Sequence, residues 1–294
     1  MKSPILLLGK NGYLAGFFLR YFQKNSVPHL ALMRSDLDFS QPALLRDFCL
    51  GQKPSLVINC AGFTGKPNVD ACETQREACR FGNVTVPVRI AEVCRDLCLP
   101  LAQISSGCIY QGSRDPGDPF SGFREDDPPN FCFSSPPCSF YSGTKAEMED
   151  RLRGFPQLFI WRLRMPFWHV DEPRNLLSKL IRYPSILEGR NSLSQAEEFV
   201  SAALRLWEKR APFGTYNVCN PGSILTSGIL AKLTRAGIRQ SKWQLYADEG
   251  AFFQEGHAPR SACVLDTYKL QSCGISLQPV EEALDAALAR WRAA

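Results

Sequence analysis

No stretch of the chain reaches the roughly 18 unbroken apolar residues that a membrane-spanning helix needs. The start superficially imitates a secretion signal, because Lys2 precedes an apolar run, but Gly9-Lys10-Asn11-Gly12 cuts that run short of a signal core. The expectation is a cytoplasmic protein with no targeting segment and no membrane partner. There is no block of lysine or arginine either: 34 basic and 29 acidic residues are spread along the chain for a net charge of +5, which excludes a backbone-tracking nucleic-acid binder. None of the 12 cysteines falls in a CxxC pair, so they read as buried thiols of a reducing compartment rather than as disulfides or metal ligands. The three histidines, His29, His169 and His257, have no partner at motif spacing. Repeats and low-complexity segments are missing too.

What is present is a soluble-protein composition, 45% hydrophobic and 21% charged, over 294 residues, enough for a large domain and a smaller companion. Short apolar runs at Ile5 to Leu8, Leu30 to Met33, Ser55 to Asn59, Leu101 to Ser105 and Leu158 to Leu163 alternate with helix-length segments at 12–24, 41–50, 83–98 and 141–153. That rhythm predicts an α/β fold, a Rossmann-type doubly wound parallel sheet. Between Gly107 and Phe140 it stops, and a proline-rich loop of that length is usually functional. After Pro166 helices are expected near 173–183 and 195–210, a strand near Thr215 to Cys219 and a last helix from about 279. The division that follows is residues 1–165 for a dinucleotide and 166–294 mainly for a smaller C-terminal substrate-binding lobe, with an interleaved boundary.

The run Ile5 to Gly16 sets a GxxGxxA turn, Gly9, Gly12 and Ala15, between the first strand and the first helix. Glycines admit a pyrophosphate to the backbone, and the helix N-terminus supplies free N–H donors; the alternative is an ordinary tight turn. The second strand ends in Met33 to Phe39, where a carboxylate favours a free ribose hydroxyl and an arginine a 2′-phosphate. Both types occur there; Arg34 tilts the expectation to NADPH, with NADH left open.

Tyr141 and Lys145 stand four apart on an expected helix, so their side chains share a face. Bringing a phenol from a pKa near 10 to neutrality takes about 4 kcal/mol. One unit charge at ~4 Å supplies about that much at an effective dielectric near 20. The pair can therefore protonate an alkoxide formed when hydride reaches a ketone, with Ser106, at the end of the fourth run, bonding the same oxygen.

These phrases, with Asn59 to Glu73, Ser106 to Tyr110, Phe140 to Lys145, Arg162 to Pro166, Pro173 to Asn175 and Ala258 to Ser261, make the chain resemble the extended short-chain dehydrogenases. Within them it is similar to the dTDP-4-dehydrorhamnose reductase branch, and most of all to the plant-type nucleotide-rhamnose synthase epimerase/reductases. The resemblance implies a UDP- or dTDP-linked 4-keto-6-deoxyglucose, epimerised at C3 and C5 and then reduced at C4 by NADPH. It places the epimerase pair on Cys108 and Lys179 and the reductase pair on Tyr141 and Lys145. It implies a dinucleotide held by Gly9, Asn11, Gly12, Tyr13, Leu14, Arg34, Asp38, Phe39, Cys60, Ala61 and Gly62 with Tyr141 and Lys145. It implies a substrate held by Thr64, Val69, Asp70, Ser105, Ser106, Arg174, Asn175 and Arg260. No metal is expected, and a homodimer is left open. The chain departs from the pattern at Ala15, at Ser106 where the family has threonine, and over Leu193 to Arg210. Two alternatives stand beside this: a 4-keto reductase with an inert Cys108, and a non-catalytic dinucleotide-binding subunit like that of methionine adenosyltransferase. Retention of Tyr141, Lys145 and Ser106 argues against the latter.

Overall fold

Hydrophobic alternation decides the layering of the computed structural model, which describes residues 3–66, 68–238, 243–253 and 258–293; Pro67 and His257 lie outside them. The chain runs β1 (Ile5–Leu8), α1 (Tyr13–Lys24), β2 (His29–Leu32), α2 (Pro42–Gln52), β3 (Leu56–Asn59), α3 (Ala71–Thr74), α4 (Arg76–Arg80), α5 (Val86–Asp96), β4 (Leu101–Ser106), α6 (Phe140–Arg151) and β5 (Leu158–Leu163). It continues through β6 (Pro166–Phe167), α7 (Leu176–Arg182), β7 (Ser185–Leu187), β8 (Arg190–Asn191), β9 (Ser194–Gln195), α8 (Ala196–Glu208) and β10 (Gly214–Asn217). It closes with β11 (Ile224–Leu225), α9 (Thr226–Arg235), β12 (Gln244–Tyr246), α10 (Glu249–Phe253), α11 (Tyr268–Ser272) and α12 (Val280–Ala289).

Six strands form one parallel sheet in the order β10-β5-β4-β3-β1-β2. Successive side chains of a strand point to opposite faces. Ile5 and Leu7 therefore meet Phe17, Phe18 and Phe22 of α1 and Phe199 and Ala203 of α8, while Leu6 and Leu8 meet Leu45 of α2, Ile90 and Val93 of α5 and Met148 of α6. A third core, built by Leu177, Leu180, Ile229, Leu233 and Leu284, lies under α7, α9 and α12. The doubly wound sheet is as expected.

After Leu163 the chain returns to the large sheet, α8 covering it and β10 extending it beside β5. Two details differ from the sequence expectation. The helix expected over 83–98 begins one element earlier, at α4, and passes through a π-helical turn at Phe81–Thr85 before α5. The Gly107 to Phe140 segment is not structureless. Its first turn is 3₁₀ (Gly107–Ile109), and Gly112 and Phe123 bridge in parallel to Cys263 and Leu265, so strand-like pairing stitches it to the C-terminal segment. All twelve thiols are free.

Candidate active site

In an open parallel sheet, ligands bind where neighbouring strands send their connections to opposite sides. Here that point lies between β1 and β3. Gly9 follows β1 with φ of +86°, and a Cβ on it would stand 2.7 Å from the Ala61 backbone nitrogen, so only glycine lets the two strand ends close. The Gly12 N–H donates to the Gly9 carbonyl at 2.9 Å, and Gly12 begins α1 with no side-chain cap. The first turn of α1 is thus left to an anion. Buried Asn59 shapes the opposite wall: its Oδ1 accepts from Ala61 N–H at 3.0 Å and its Nδ2 donates to Gln103 at 2.8 Å. These features fit a dinucleotide pyrophosphate.

Asn11, Gly12, Tyr13, Leu14, Cys60, Ala61 and Gly62 line one cleft of about 760 Å³. Arg34, Asp36 and Asp38, in the segment after β2, are not among the residues that line it; there the acids are engaged, Asp36 pairing with Lys10 at 2.6 Å and Asp38 accepting from both the Ser40 hydroxyl (2.6 Å) and its N–H. The Ser40 hydroxyl first, and then Arg34 among weaker causes, hold Asp38 below the usual carboxylate range. Arg34 is exposed, with its guanidinium over the Phe81 ring. Phe39 is not at the surface of this region; it is packed with Leu6, Leu8 and Leu45 and can touch no ligand. Gly12→Val places a branched side chain where Cβ already stands 3.2 Å from the Gly9 carbonyl. A fluorescence titration is expected to show NADPH binding about ten- to a hundredfold weaker, the loss of one or two charge-assisted hydrogen bonds.

The same cleft continues to Ser105, Ser106, Cys108, Tyr141 and Lys145. Ser139 caps α6 by accepting from Ser142 N–H, which sets the helix so that Tyr141, Lys145 and Glu149 fall on one stripe facing β4 and β5. At the far end of the stripe Glu149 takes three bonds of 2.6 to 3.1 Å from the Arg162 guanidinium and one of 2.5 Å from the Ser105 hydroxyl. Ser105 is therefore committed to the scaffold. Removing one partner of a buried pair leaves the other charge uncompensated. Glu149→Ala is expected to cost about 3–5 kcal/mol in denaturant unfolding, whereas Arg153→Ala, whose partner Asp150 is also exposed, is expected to cost little.

The pairing of Tyr141 with Lys145 differs from the expectation. Lys145 Nζ lies 5.9 Å from the Tyr141 ring centroid, over the ring. Burial lowers the pKa of Lys145. It also pushes the Tyr141 phenol up, reinforced by Cys108, Cys72 and Cys79, and the cation that opposes this is Arg164. Lys145 does not offset the burial that holds the phenol up. A phenol held protonated is nevertheless what a proton donor requires.

Two residues of this region escaped the sequence reading. Asn83, fully buried in the π turn, accepts from Phe63 N–H and donates to Phe63 O, each at 2.8 Å, and reaches Thr144 of α6 at 3.3 Å. It ties the segment after β3 to the tyrosine helix. Arg164 is 5% exposed and lines the cleft. Its place in the Arg162 to Pro166 phrase was visible, but its role was not.

Cys108 is buried on the 3₁₀ turn after β4, its N–H donating to Ser106 Oγ at 3.3 Å. Lys179 of α7 lines the same cleft, half-buried. Burial first, then the charges of Arg174 and Arg260, hold its pKa below the ordinary lysine value. Thr64, Val69, Arg174 and Arg260 line the cleft with it, Arg174 donating to the Thr64 hydroxyl. Asp70 does not line the cleft; it binds Arg260 at 2.7 Å and accepts from Ala258 N–H. Asn175 is also elsewhere. It caps α7, and its carboxamide is taken up by the Trp168 N–H and carbonyl, the Val170 carbonyl and the Leu177 N–H. It is completely buried and does not share the Lys179 face.

A glycine turn at the switch point, a tyrosine and lysine one helical turn apart and a serine at the end of the neighbouring strand define the short-chain dehydrogenase/reductase class. The chain belongs to the RmlD substrate binding domain family, which matches residues 1–293. It is 32% identical over 284 residues to a bifunctional dTDP-4-dehydrorhamnose 3,5-epimerase/dTDP-4-dehydrorhamnose reductase of Arabidopsis thaliana, covering 95% of this chain and 90% of the relative. It is 31% identical over 281 residues to a trifunctional UDP-glucose 4,6-dehydratase/UDP-4-keto-6-deoxy-D-glucose 3,5-epimerase/UDP-4-keto-L-rhamnose-reductase of the same plant, covering 95% of this chain but only 40% of that longer protein. The fold is that of the L780 UDP-rhamnose synthase from Acanthamoeba polyphaga mimivirus, with a TM-score of 0.86, 22% identity and 98% and 99% of the two chains covered. It is also that of a Bacillus anthracis dTDP-4-dehydrorhamnose reductase in complex with NADP, with a TM-score of 0.79, 19% identity and 98% of each chain covered.

Proposed function

We propose that this chain is a nucleotide-sugar 3,5-epimerase/4-reductase that converts a UDP- or dTDP-linked 4-keto-6-deoxyglucose to the rhamnose nucleotide. The observation that carries the reading is the convergence of two proton-transfer sets, Cys108 with Lys179 and Tyr141 with Ser106 and Lys145, on one cleft that begins at the glycine turn. The relatives named above supply the sugar. Residues 1–165 serve mainly the dinucleotide and 166–294 mainly the sugar nucleotide, with α8 and β10 as exceptions. A cytoplasmic setting suits twelve unpaired thiols.

When bound, NADPH supplies the hydride for the last step. NADPH rather than NADH is favoured because Asp36 and Asp38 are engaged while Arg34, in the segment after the second strand that reads the adenosine ribose in this fold, is exposed. The protein's part is proton traffic. Hydrogens at C3 and C5 flank the ketone, so removing either sends an electron pair to the C4 oxygen. Lys179, whose ammonium is destabilised by burial and by two arginines, takes the proton from one face, and the Cys108 thiol returns one to the other. In the reduction Tyr141 gives its phenolic proton to the C4 oxygen, Ser106 orients that oxygen, and Lys145 holds the nicotinamide ribose.

The test is incubation with UDP- and with dTDP-4-keto-6-deoxyglucose plus NADPH, followed by product analysis. Formation of a rhamnose nucleotide from either supports the reading; recovery of unchanged keto sugar from both removes it.

A further inference from the structure

Arg164 is the first residue after β5, and it continues the extended chain there, its N–H donating to Ser194 Oγ at 3.0 Å and its carbonyl accepting from Ser194 N–H at 2.7 Å. Carrying the strand's alternation on by one residue puts it on the same face of the sheet as Arg162, the one covered by α6. Arg162 meets Glu149 there. As the crossover helix between β4 and β5, α6 runs antiparallel to β5. Two strand residues advance ~6.6 Å and four helix residues ~6 Å, so the next position along each element also comes opposite. Arg164 therefore faces the Lys145–Tyr141 end of the helix stripe. The β4–β5 register agrees: Ser106 pairs with Leu163, which sets Arg164 beside the Ser106–Cys108 turn.

The two arginines are buried alike but balanced differently. Arg162 is neutralised by a carboxylate, whereas Arg164 has none within ion-pair distance among the described residues. Its Nη2 donates to Asn191 Oδ1 at 2.5 Å and to the Ser261 carbonyl, and its Nε is enclosed without a partner. Isolated buried charge is costly, and a fold that keeps one at the wall of a reaction cleft has a use for it.

We propose that Arg164 is a fixed positive charge in the wall of the reaction cleft, stabilising the negative charge that passes between the substrate's C4 oxygen and the Tyr141 oxygen. The inference rests on the function proposed above. In epimerisation the C–H bond at C3 or C5 breaks, the proton goes to Lys179 and the electron pair reaches the C4 oxygen as an enolate. The pair then returns to carbon and forms a new C–H bond with the Cys108 proton, and Lys179 gives up and Cys108 regains a proton through water. In reduction the hydride from NADPH forms the C4–H bond, the carbonyl pair moves to oxygen, and the Tyr141 proton neutralises it, leaving a phenolate until water returns the proton. Both charges arise in the cleft that Arg164 lines with Tyr141. The opposing pull of Arg164 on the buried phenol has the sign this requires.

The experiment compares Arg164→Met, Arg164→Lys and Asn191→Ala with wild type, using cofactor-free deuterium exchange at C3 and C5 and the pH profile of NADPH oxidation on a pre-epimerised keto sugar. Arg164→Met is expected to slow both reactions about a hundredfold, the scale of losing one oxyanion donor. It is also expected to move the alkaline limb of reduction upward, because the phenol then holds its proton to higher pH. Arg164→Lys keeps the charge and the limb. Asn191→Ala removes an anchor of Nη2 but not the charge, and it too keeps the limb. If Arg164→Met does not fold, Arg164→Gln, which retains an amide donor for Ser261, gives the same reading. An unmoved limb in the neutral variants, or equal effects of Asn191→Ala and Arg164→Met, overturns the inference and makes Arg164 a structural tie. A wild type that neither exchanges nor reduces overturns the proposed function instead.

Discussion

Tyr141→Phe is expected to lower the rate of ketone reduction by about 10²- to 10⁴-fold, the usual weight of a positioned general acid, while NADPH binding stays near wild type. Only one oxygen is removed, and Tyr141 keeps its place at the start of the α6 stripe. Burial keeps the wild-type phenol protonated well past neutrality, so reduction should hold steady through the neutral range and fall only on the alkaline side. Stopped-flow NADPH oxidation with a pre-epimerised substrate reads the step directly. Undiminished reduction in Tyr141→Phe would falsify the assignment of the proton donor. Lys145→Met is expected to impair both cofactor binding and reduction.

Deuterium from D₂O should enter C3 and C5 when the keto sugar meets the wild-type protein without NADPH, and this exchange should vanish in Cys108→Ala and in Lys179→Ala. Tyr141→Phe should still exchange, because no hydride is involved. The base must be a neutral amine, so exchange should rise with pH through the Lys179 pKa, which lies below the ordinary lysine value because of burial, Arg174 and Arg260. Removing a neighbouring cation relaxes that depression, so Arg174→Ala should move the rise to higher pH. Mass spectrometry of the recovered sugar is the readout. A wild type that reduces a pre-epimerised sugar cleanly but never exchanges is a 4-reductase with an inert Cys108.

How far these residues were visible in the sequence depended on whether their work is periodic. The strand runs and the amphipathic helices announce themselves because burial imposes a repeat, and five of the six strands of the large sheet stood out that way. The sixth, β10, was expected as a strand but not as part of the sheet, since nothing local says where a strand pairs. The π turn holding Asn83 carries no repeat of its own. Asn175 belongs by resemblance to the substrate set, yet at a helix start the side chain folds back onto neighbouring backbone groups instead of pointing outward. Lys145 was expected beside the phenol oxygen because spacing fixes a shared face but not which atom of a flexible chain reaches which atom of a ring. Arg164 lay outside the reading because its significance comes from having no carboxylate partner among the described residues, and only Glu149 opposite Arg162 makes that visible.

The return of α8 and β10 to the large sheet bears on how such a protein can change over time. Cut after Met165, the front portion would lose the strand that pairs with Phe159 to Arg162 and the helix that covers Phe18 and Trp161. Its last edge would then be bare backbone flanked by aromatic side chains, a template for self-association. The large sheet and its cover are thus built from both portions of the chain. A new sugar preference has to arise by substitution around a shared core rather than by exchanging one half for another.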